Sequence, residues 1–282
     1  MTIKSVGIIG SGIMGSGIAQ VAATKGFDVV LRSRKQESAD QTVAAMQKSL
    51  EKLVAKERMS QDDADAAVAR VRATSAVADL ADCDLVIESV VEDLPTKLEL
   101  FDELDKVCKD GAILATNTST LSVTDMAVRT SRPERVCGVH FFNPAPMMSL
   151  VELIQTIVTS DETIAEVRAF AEACGKSPVE VKDRAGFIVN HLLFPYLNNA
   201  IRMLENGTAS RDDIDSAMKG GANFPMGPFA LLDLVGLDTS LSILDALYDE
   251  FRDPNYAASP MLRRMVSAGH LGRKSGTGFY EY

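Results

Sequence analysis

Through residue 183 the chain alternates short, β-rich apolar runs with longer stretches of helical period, a pattern that predicts a mostly parallel α/β sheet. "IKSVGIIG" reads as the first strand, "GIAQVAATKG" continues into a helix that stops at Gly26, and "FDVVLRS" reads as the second strand. "DLVIES", "GAILATN" and "RVCGVHF" read as further strands, with "LVELI" and "SPVEVK" on the far side of the sheet. Between the second and third strands lies an insertion from about 36 to 71. In it Val43, Met46, Leu50 and Leu53 recur at three- and four-residue spacing and predict one apolar helical face. Lys48, Lys52 and Lys56 fall four apart on the opposite face. Ser60, with Asp63 three residues on, predicts a capping box that starts a second helix, with Met59 as its staple. The insertion is therefore expected to be a helical hairpin carrying a basic stripe.

After residue 183 the strand signals stop and helical periodicity takes over. The expected division is a dinucleotide-binding domain over 1–183 and a helical substrate and dimerisation domain over 184–282. "GTASRDDIDSAM" starts a helix with acids in its first turn, where the helix dipole favours them. The stretch 229–247 is apolar on more than one side, which predicts burial against a second copy as well as against its own domain.

The 282 residues carry 29 basic and 39 acidic side chains, a net charge of −10 that argues against wholesale nucleic-acid binding. Four cysteines, Cys83, Cys108, Cys137 and Cys174, are widely spaced without a C-x-x-C pair, and the three histidines form no ligand cluster with them. Reduced thiols and no metal are expected. The N-terminal apolar run is broken by glycines and lacks the pattern of a signal peptide, and no stretch is long and apolar enough to span a bilayer. A cytoplasmic protein without a membrane partner is expected.

Gly10, Gly12 and Gly15 form G-x-G-x-x-G between the first strand and the first helix. The first glycine serves a tight turn, the second lets a pyrophosphate approach the backbone, and the third lets helix pack on strand. With Ser11, Ile13 and Met14 they predict a dinucleotide site at a helix N-terminus. An acid usually ends the second strand of an NAD enzyme; here Arg32, Ser33, Arg34 and Lys35 stand there. Without that carboxylate, Ser33 and Arg34 favour a 2′-phosphate, so NADP(H) is expected ahead of NAD(H).

Ser119, just beyond one strand in "ATNTST", and His140, ending another, are both placed at the carboxyl edge of the sheet, where open α/β proteins bind ligands. Glu152 interrupts the apolar run "LVELI", and a carboxylate there needs a partner such as an imidazole. Such a dyad fixes the tautomer of an acid/base histidine. Asn190 is a lone amide in an apolar helical start and a candidate donor to a substrate oxygen.

"GIIGSGIMGSGIA", "ATNTSTLS", "HFFNPAPMMSLVELI", "GFIVNHLLFPYLNNAI", "PMGPFALLDLVGLD" and "GRKSGTGFYEY" resemble the 3-hydroxyacyl-CoA dehydrogenase family, essentially end to end. The resemblance implies a Rossmann-type domain and hydride exchange between a nicotinamide and an (S)-3-hydroxyacyl-CoA, with 3-hydroxybutyryl-CoA foremost. It implies that His140 is the general base, Glu152 its partner, and that Ser119 and Asn190 orient the reacting oxygen. It places Glu92, Lys97, Asn117, Asn143 and Lys274 in the cofactor site, and gives Ser49 and Lys56 to the coenzyme A moiety, so that the lysine stripe, Lys52 included, is expected to meet its phosphates. Ser33, where many members carry Asp, departs from the family pattern. The rival readings are a dehydrogenase of a free 3-hydroxy acid or of another thioester such as 3-hydroxyadipyl-CoA, and a non-catalytic crystallin-like relative. His140, Glu152 and the glycine loop, all intact, speak against the last.

Overall fold

A computed structural model describes residues 3–282 and divides after Asp183 into two compact units. In the first, eight strands form one sheet: β1 (Ser5–Ile9), β2 (Asp28–Arg32), β3 (Val71–Thr74), β4 (Leu85–Glu88), β5 (Ile113–Thr116), β6 (Val136–Phe141), β7 (Leu150–Gln155) and β8 (Ser177–Lys182). Their order is β3-β2-β1-β4-β5-β6-β7-β8, parallel throughout except where β7 runs antiparallel to β6. The helices of this unit are α1 (Ile13–Thr24), α2 (Gln36–Val54), α3 (Gln61–Ala69), α4 (Leu94–Val107), α5 (Val123–Ala127) and α6 (Asp161–Ala173).

Every residue of β4, β5 and β6 is buried, which explains why these strands read as unbroken apolar runs instead of alternating ones. Successive side chains feed opposite layers. Ile8 joins Ile18, Met46 and Leu50 of α1 and α2, whereas Ile9 joins Phe101 and Leu104 of α4. The sheet is therefore doubly wound. Chain order reverses between β1 and β4, and their carboxyl ends bound the crevice such folds use for ligands.

The insertion is the expected pair of helices, with Met46 and Leu50 buried and Val43 and Leu53 packed beside them. Ser60 caps α3: its hydroxyl accepts from the Asp63 N–H at 3.1 Å and donates to the Asp63 carboxylate at 2.6 Å. One element of the stripe differs. α2 ends at Val54, so Lys56 lies in the following turn and not on the helix that carries Lys48 and Lys52. Glu57, with φ of 55°, reverses the chain there.

The second unit holds α7 (Val189–Glu205), α8 (Arg211–Ala222), α9 (Pro228–Val235), α10 (Leu237–Phe251) and α11 (Pro260–Ser267) around a core of its own. The stretch expected to face a partner is split in this unit. Gly236, at φ 103°, breaks it into α9 and α10, and the break turns both apolar sides inward. Phe229, Leu232, Leu237, Ile243, Leu244 and Leu247 are all buried in the unit's own core, leaving Leu234 half-exposed. Leu231, Val235 and Leu241 are only partly buried against that core.

All four cysteines are free and buried. Burial pushes the thiols of Cys83, Cys137 and Cys174 up to about 12 and that of Cys108 up to about 11, so none presents a reactive thiolate near neutral pH. Among the described residues no group of three or more His, Cys, Asp or Glu side chains could hold a metal ion, and no helix is long and apolar enough to cross a membrane.

Asp84 ties the amino ends of β1 and β4 together. Its carboxylate accepts from the N–H groups of Lys4 and Ser5 at 2.8 and 3.0 Å and from the Lys109 ammonium at 2.7 Å. Burial works to raise its pKa, but Lys109 and the two N–H groups outweigh this and hold it at about 2. A depressed carboxylate stabilises the fold above its unfolded value and loses that contribution as the pH drops towards its folded one. Asp84→Asn should therefore cost about 2 kcal/mol at neutral pH, a gap that narrows below about pH 4. Urea unfolding of both proteins across this range checks it; a gap independent of pH would assign the effect to packing.

Candidate active site

The turn after β1 is shaped by close approach. A Cβ on Gly10 would lie 2.2 Å from the Ser89 carbonyl oxygen, and one on Gly15 would lie 2.0 Å from that of Gly10. Gly12 differs, because a Cβ there meets nothing within 4 Å. It is also the N-cap of α1, and no side chain caps that helix. The arrangement fits a pyrophosphate, whose oxygens would take the helix N–H groups and whose approach requires the bare backbone at Gly12. Ser11, Gly12, Ile13 and Ser16 line one wall of a cleft of about 410 Å³, and Ser38, Gln41, Thr42 and Ala45 of α2 line the other. Ile13 is 76% exposed at its mouth, and Met14 packs partly buried against the core.

Ser33 follows β2 and is buried, its hydroxyl 2.9 Å from that of Ser11 in the glycine loop. Arg34 and Lys35 beside it are exposed. Lys35 is the N-cap of α2, and no side chain caps that helix either.

The antiparallel pairing of β6 and β7 sets His140 directly opposite Glu152. Both are buried, and His140 Nδ1 lies 2.7 Å from Glu152 Oε2. A carboxylate only accepts, so the ring proton belongs on Nδ1, and Nε2 offers its lone pair 3.2 Å from the Ser119 hydroxyl. Phe142 packs against the imidazole with ring centroids 4.6 Å apart. Gly138, two residues earlier, keeps the strands close: a Cβ there would fall 2.7 Å from the Ile154 side chain.

Asn117 ties the loop after β5 to the end of β6, its side-chain oxygen accepting from the Phe141 N–H at 2.8 Å. Glu92 accepts from the Ser119 N–H at 2.8 Å and the Thr118 hydroxyl at 2.5 Å. Lys97, which the resemblance assigns to the cofactor site, is withdrawn from the surface. It is 1% exposed and its ammonium contacts Glu88 at 2.6 Å and Glu92 at 3.4 Å, because α4 turns that face into the protein. Glu88, fully buried at the end of β4, escaped the sequence reading. Its signal was available: an acid ends the apolar run "DLVIE", and a lysine follows nine residues later.

Asn143 is exposed just beyond β6, in the loop that leads to β7. Ser49 is half-buried on α2, while Lys48, Lys52 and Lys56 are exposed. In the second unit, Asn190 is buried in the first turn of α7, and Lys274 pairs with Asp238 at 2.5 Å.

A doubly wound sheet with an open glycine turn at its crossover and a buried His–Glu pair at its carboxyl edge defines a dinucleotide-dependent oxidoreductase. Residues 5–184 match the NAD-binding domain of 3-hydroxyacyl-CoA dehydrogenase and residues 186–282 match its C-terminal domain, so the chain belongs to the 3-hydroxyacyl-CoA dehydrogenase family. It is 48% identical to a 3-hydroxybutyryl-CoA dehydrogenase of Clostridioides difficile over 98% of each chain. It is 45% identical to the mitochondrial hydroxyacyl-coenzyme A dehydrogenase of Homo sapiens, over 99% of this chain and 91% of that one. The crystal structure of (S)-3-hydroxybutyryl-CoA dehydrogenase from Ralstonia eutropha superimposes with a TM-score of 0.97 at 43% identity, covering 100% of this chain and 99% of that one.

The two glycines separate ligand binding from folding. Gly12→Ala should leave the melting temperature unchanged and weaken dinucleotide binding by roughly tenfold or more, since the new methyl meets only the ligand. Gly15→Ala should lower both, because its methyl meets backbone first. Calorimetric titration beside thermal unfolding distinguishes them; a destabilised Gly12→Ala protein would contradict the assignment.

Proposed function

We propose that this chain interconverts an (S)-3-hydroxyacyl-CoA, foremost 3-hydroxybutyryl-CoA, and its 3-oxoacyl-CoA, with His140 as acid and base. The observation that carries the reading is the histidine's double engagement, Glu152 on Nδ1 and Ser119 facing Nε2. The nicotinamide, when bound, supplies the site that accepts or gives the hydride. The protein must manage the proton. In the oxidative direction His140 Nε2 takes it from the substrate hydroxyl, and Glu152 on the opposite nitrogen steadies the imidazolium that forms. Ser119 donates to the oxygen as it becomes a carbonyl, and the reverse reaction returns the proton by the same route.

Acetoacetyl-CoA with NADPH or NADH tests this directly. The unmodified protein should oxidise the cofactor, and His140→Gln should lower kcat by roughly 10² or more with little change in dinucleotide affinity. Near-native kcat in that variant would remove His140 from the role.

NADPH is the cofactor this reading favours. Ser33 turns its hydroxyl towards the glycine loop, where an Asp would repel a 2′-phosphate, and Arg34, Lys35 and the uncapped start of α2 stand beside it. Charge-assisted contacts of this kind contribute roughly 1.5–3 kcal/mol each, so the preference should be about 10-fold or more in kcat/KM. Equal or better kcat/KM with NADH in the same assay would overturn it.

The exposed lysines suit the phosphates of coenzyme A. No ion pair to an acid is found for Lys48, Lys52 or Lys56 among the described residues, and Ser49 adds a hydroxyl on the helix that carries Lys48 and Lys52. Lys52→Ala with Lys56→Ala should raise KM for acetoacetyl-CoA and flatten its salt dependence, since exposed charge contacts are screened. An equal loss with an N-acetylcysteamine thioester, which lacks the nucleotide, would return the lysines to solvent.

A further inference from the structure

We propose that Lys176 is a positioning residue of the active site, its ammonium fixing the loop 142–149 so that Asn143 is held in place for the dinucleotide. This loop joins β6 to β7, and so runs between the strand of His140 and the strand of Glu152. Its two ends are secured. Asn117 accepts from the Phe141 N–H, Phe142 packs on the imidazole, and the Ser149 carbonyl accepts from the Ser177 N–H at 2.7 Å. In its middle the chain makes one turn, the Pro144 carbonyl accepting from the N–H groups of Met147 and Met148 at 2.9 and 3.0 Å. Lys176 closes that turn by donating to the Ala145 carbonyl at 2.6 Å and to the Met148 carbonyl at 2.8 Å. No other side chain among the described residues hydrogen-bonds to this loop. The lysine is placed by its own backbone: Gly175, at φ 72°, ends α6 in a left-handed turn, the Lys176 N–H reaches back to the Ala171 carbonyl at 3.0 Å, and β8 starts one residue later against β7.

The energetics point away from stability as the reason for this tie. Lys176 is half-buried, burial and the nearby Lys25 ammonium push its pKa below the usual lysine value, and no acid pairs with it among the described residues. A charge so placed is costly, while the carbonyls of an exposed loop could be satisfied by water. What the ammonium secures is a shape. The loop also presses on α1: Ala145 is buried, and a Cβ on Gly17 would lie 3.1 Å from its methyl and 3.3 Å from Pro146 Cδ. It therefore rests on the helix whose N-terminus the glycine turn presents. Asn143 is exposed in this loop, makes no hydrogen bond among the described residues, and is the loop residue that the resemblance assigns to the cofactor. An amide on a loose loop would have to be ordered each time a ligand binds, at a cost in conformational entropy, whereas a tied loop is ordered beforehand.

The inference rests on the proposed function, with Asn143 as a dinucleotide contact, so two arms of its test are independent of turnover. Lys176→Met should speed amide exchange of the 142–149 segment by roughly tenfold or more, measured by mass spectrometry. It should weaken the Kd of the preferred cofactor, NADPH or NADH, by roughly tenfold, while KM for acetoacetyl-CoA stays within about threefold. On an Asn143→Ala background the same change should weaken the cofactor by no more than about twofold further, because both act on one side chain. Should Lys176→Met not fold, Lys176→Gln, too short to span the two carbonyls, carries the same expectations. Unchanged exchange, unchanged cofactor binding, or full additivity with Asn143→Ala would overturn the proposal and leave the enzymatic reading untouched. An Asn143→Ala protein that binds the cofactor as well as the unmodified one would overturn the role of Asn143, and the proposal with it. The exchange and binding effects together, in a protein whose unmodified form turns over no thioester, would uphold the positioning and remove the enzymatic reading instead.

Discussion

The structure turns on one register. β6 and β7 are the antiparallel pair in an otherwise parallel sheet, and their pairing sets His140 against Glu152 in the interior. A shift by one residue would send every side chain of β7 to the opposite face and leave a buried carboxylate without its imidazole. The pairing is defended on both sides of the dyad. Gly138 admits the Ile154 side chain where any larger residue would force the strands apart, and Val151 and Leu153 are buried with the core. Packing and hydrogen bonding thus select the same register, which is what a buried acid/base pair requires if it is to keep one geometry.

The same sheet edge carries a second buried pair. His140 and Glu152 face each other across β6 and β7, whereas Glu88 takes the Lys97 ammonium, the Val90 N–H and the Thr116 hydroxyl at the end of β4. They are joined through short spans: Glu88 lies beside Thr116 in register, Asn117 follows Thr116 and holds the Phe141 N–H, and Phe141 follows His140. His140 is thus placed by a strand, and Ser119 by a loop that is tied to the end of β4 through Glu92.

What could be read in the sequence follows what is local. The glycine turn, the alternation of strand and helix, the Ser60 cap and the apolar face of α2 each depend on residues within a few positions of one another, and the structure shows all of them. Ser119, His140 and Glu152 were recognisable because polar residues at the ends of, or within, apolar strands are expensive and so call for a reason. Glu88 met the same criterion and was missed, since its partner lies on a helix whose inward face is set by tertiary packing. Lys97 was assigned to the cofactor site by the resemblance alone, and its burial against two acids is a long-range fact that local sequence does not carry. Phe229 to Leu247 looked too apolar for a single stripe because the break at Gly236 was not anticipated; two short helices can each bury a different side. Lys56 fell out of the helical stripe because α2 stops one turn before the spacing does.

Lysine has two opposite uses in the first unit, and burial is what separates them. Lys97 is withdrawn from water, its charge shared between two carboxylates. Lys52 and Lys56 stay in water, where a charge contributes little to the fold and a flexible stem costs nothing until something binds. A polyanionic handle such as the nucleotide end of coenzyme A is well met by the second kind, since long-range attraction tolerates imprecise placement. The reacting carbon is not, since proton and hydride must move over fixed distances. The chain, at a net charge of −10, would repel a polyanion as a whole, so the exposed lysines on and after α2 supply a local field of the opposite sign. On the proposed reading, binding energy gathered at such a handle is available to hold the acyl end of the thioester in place.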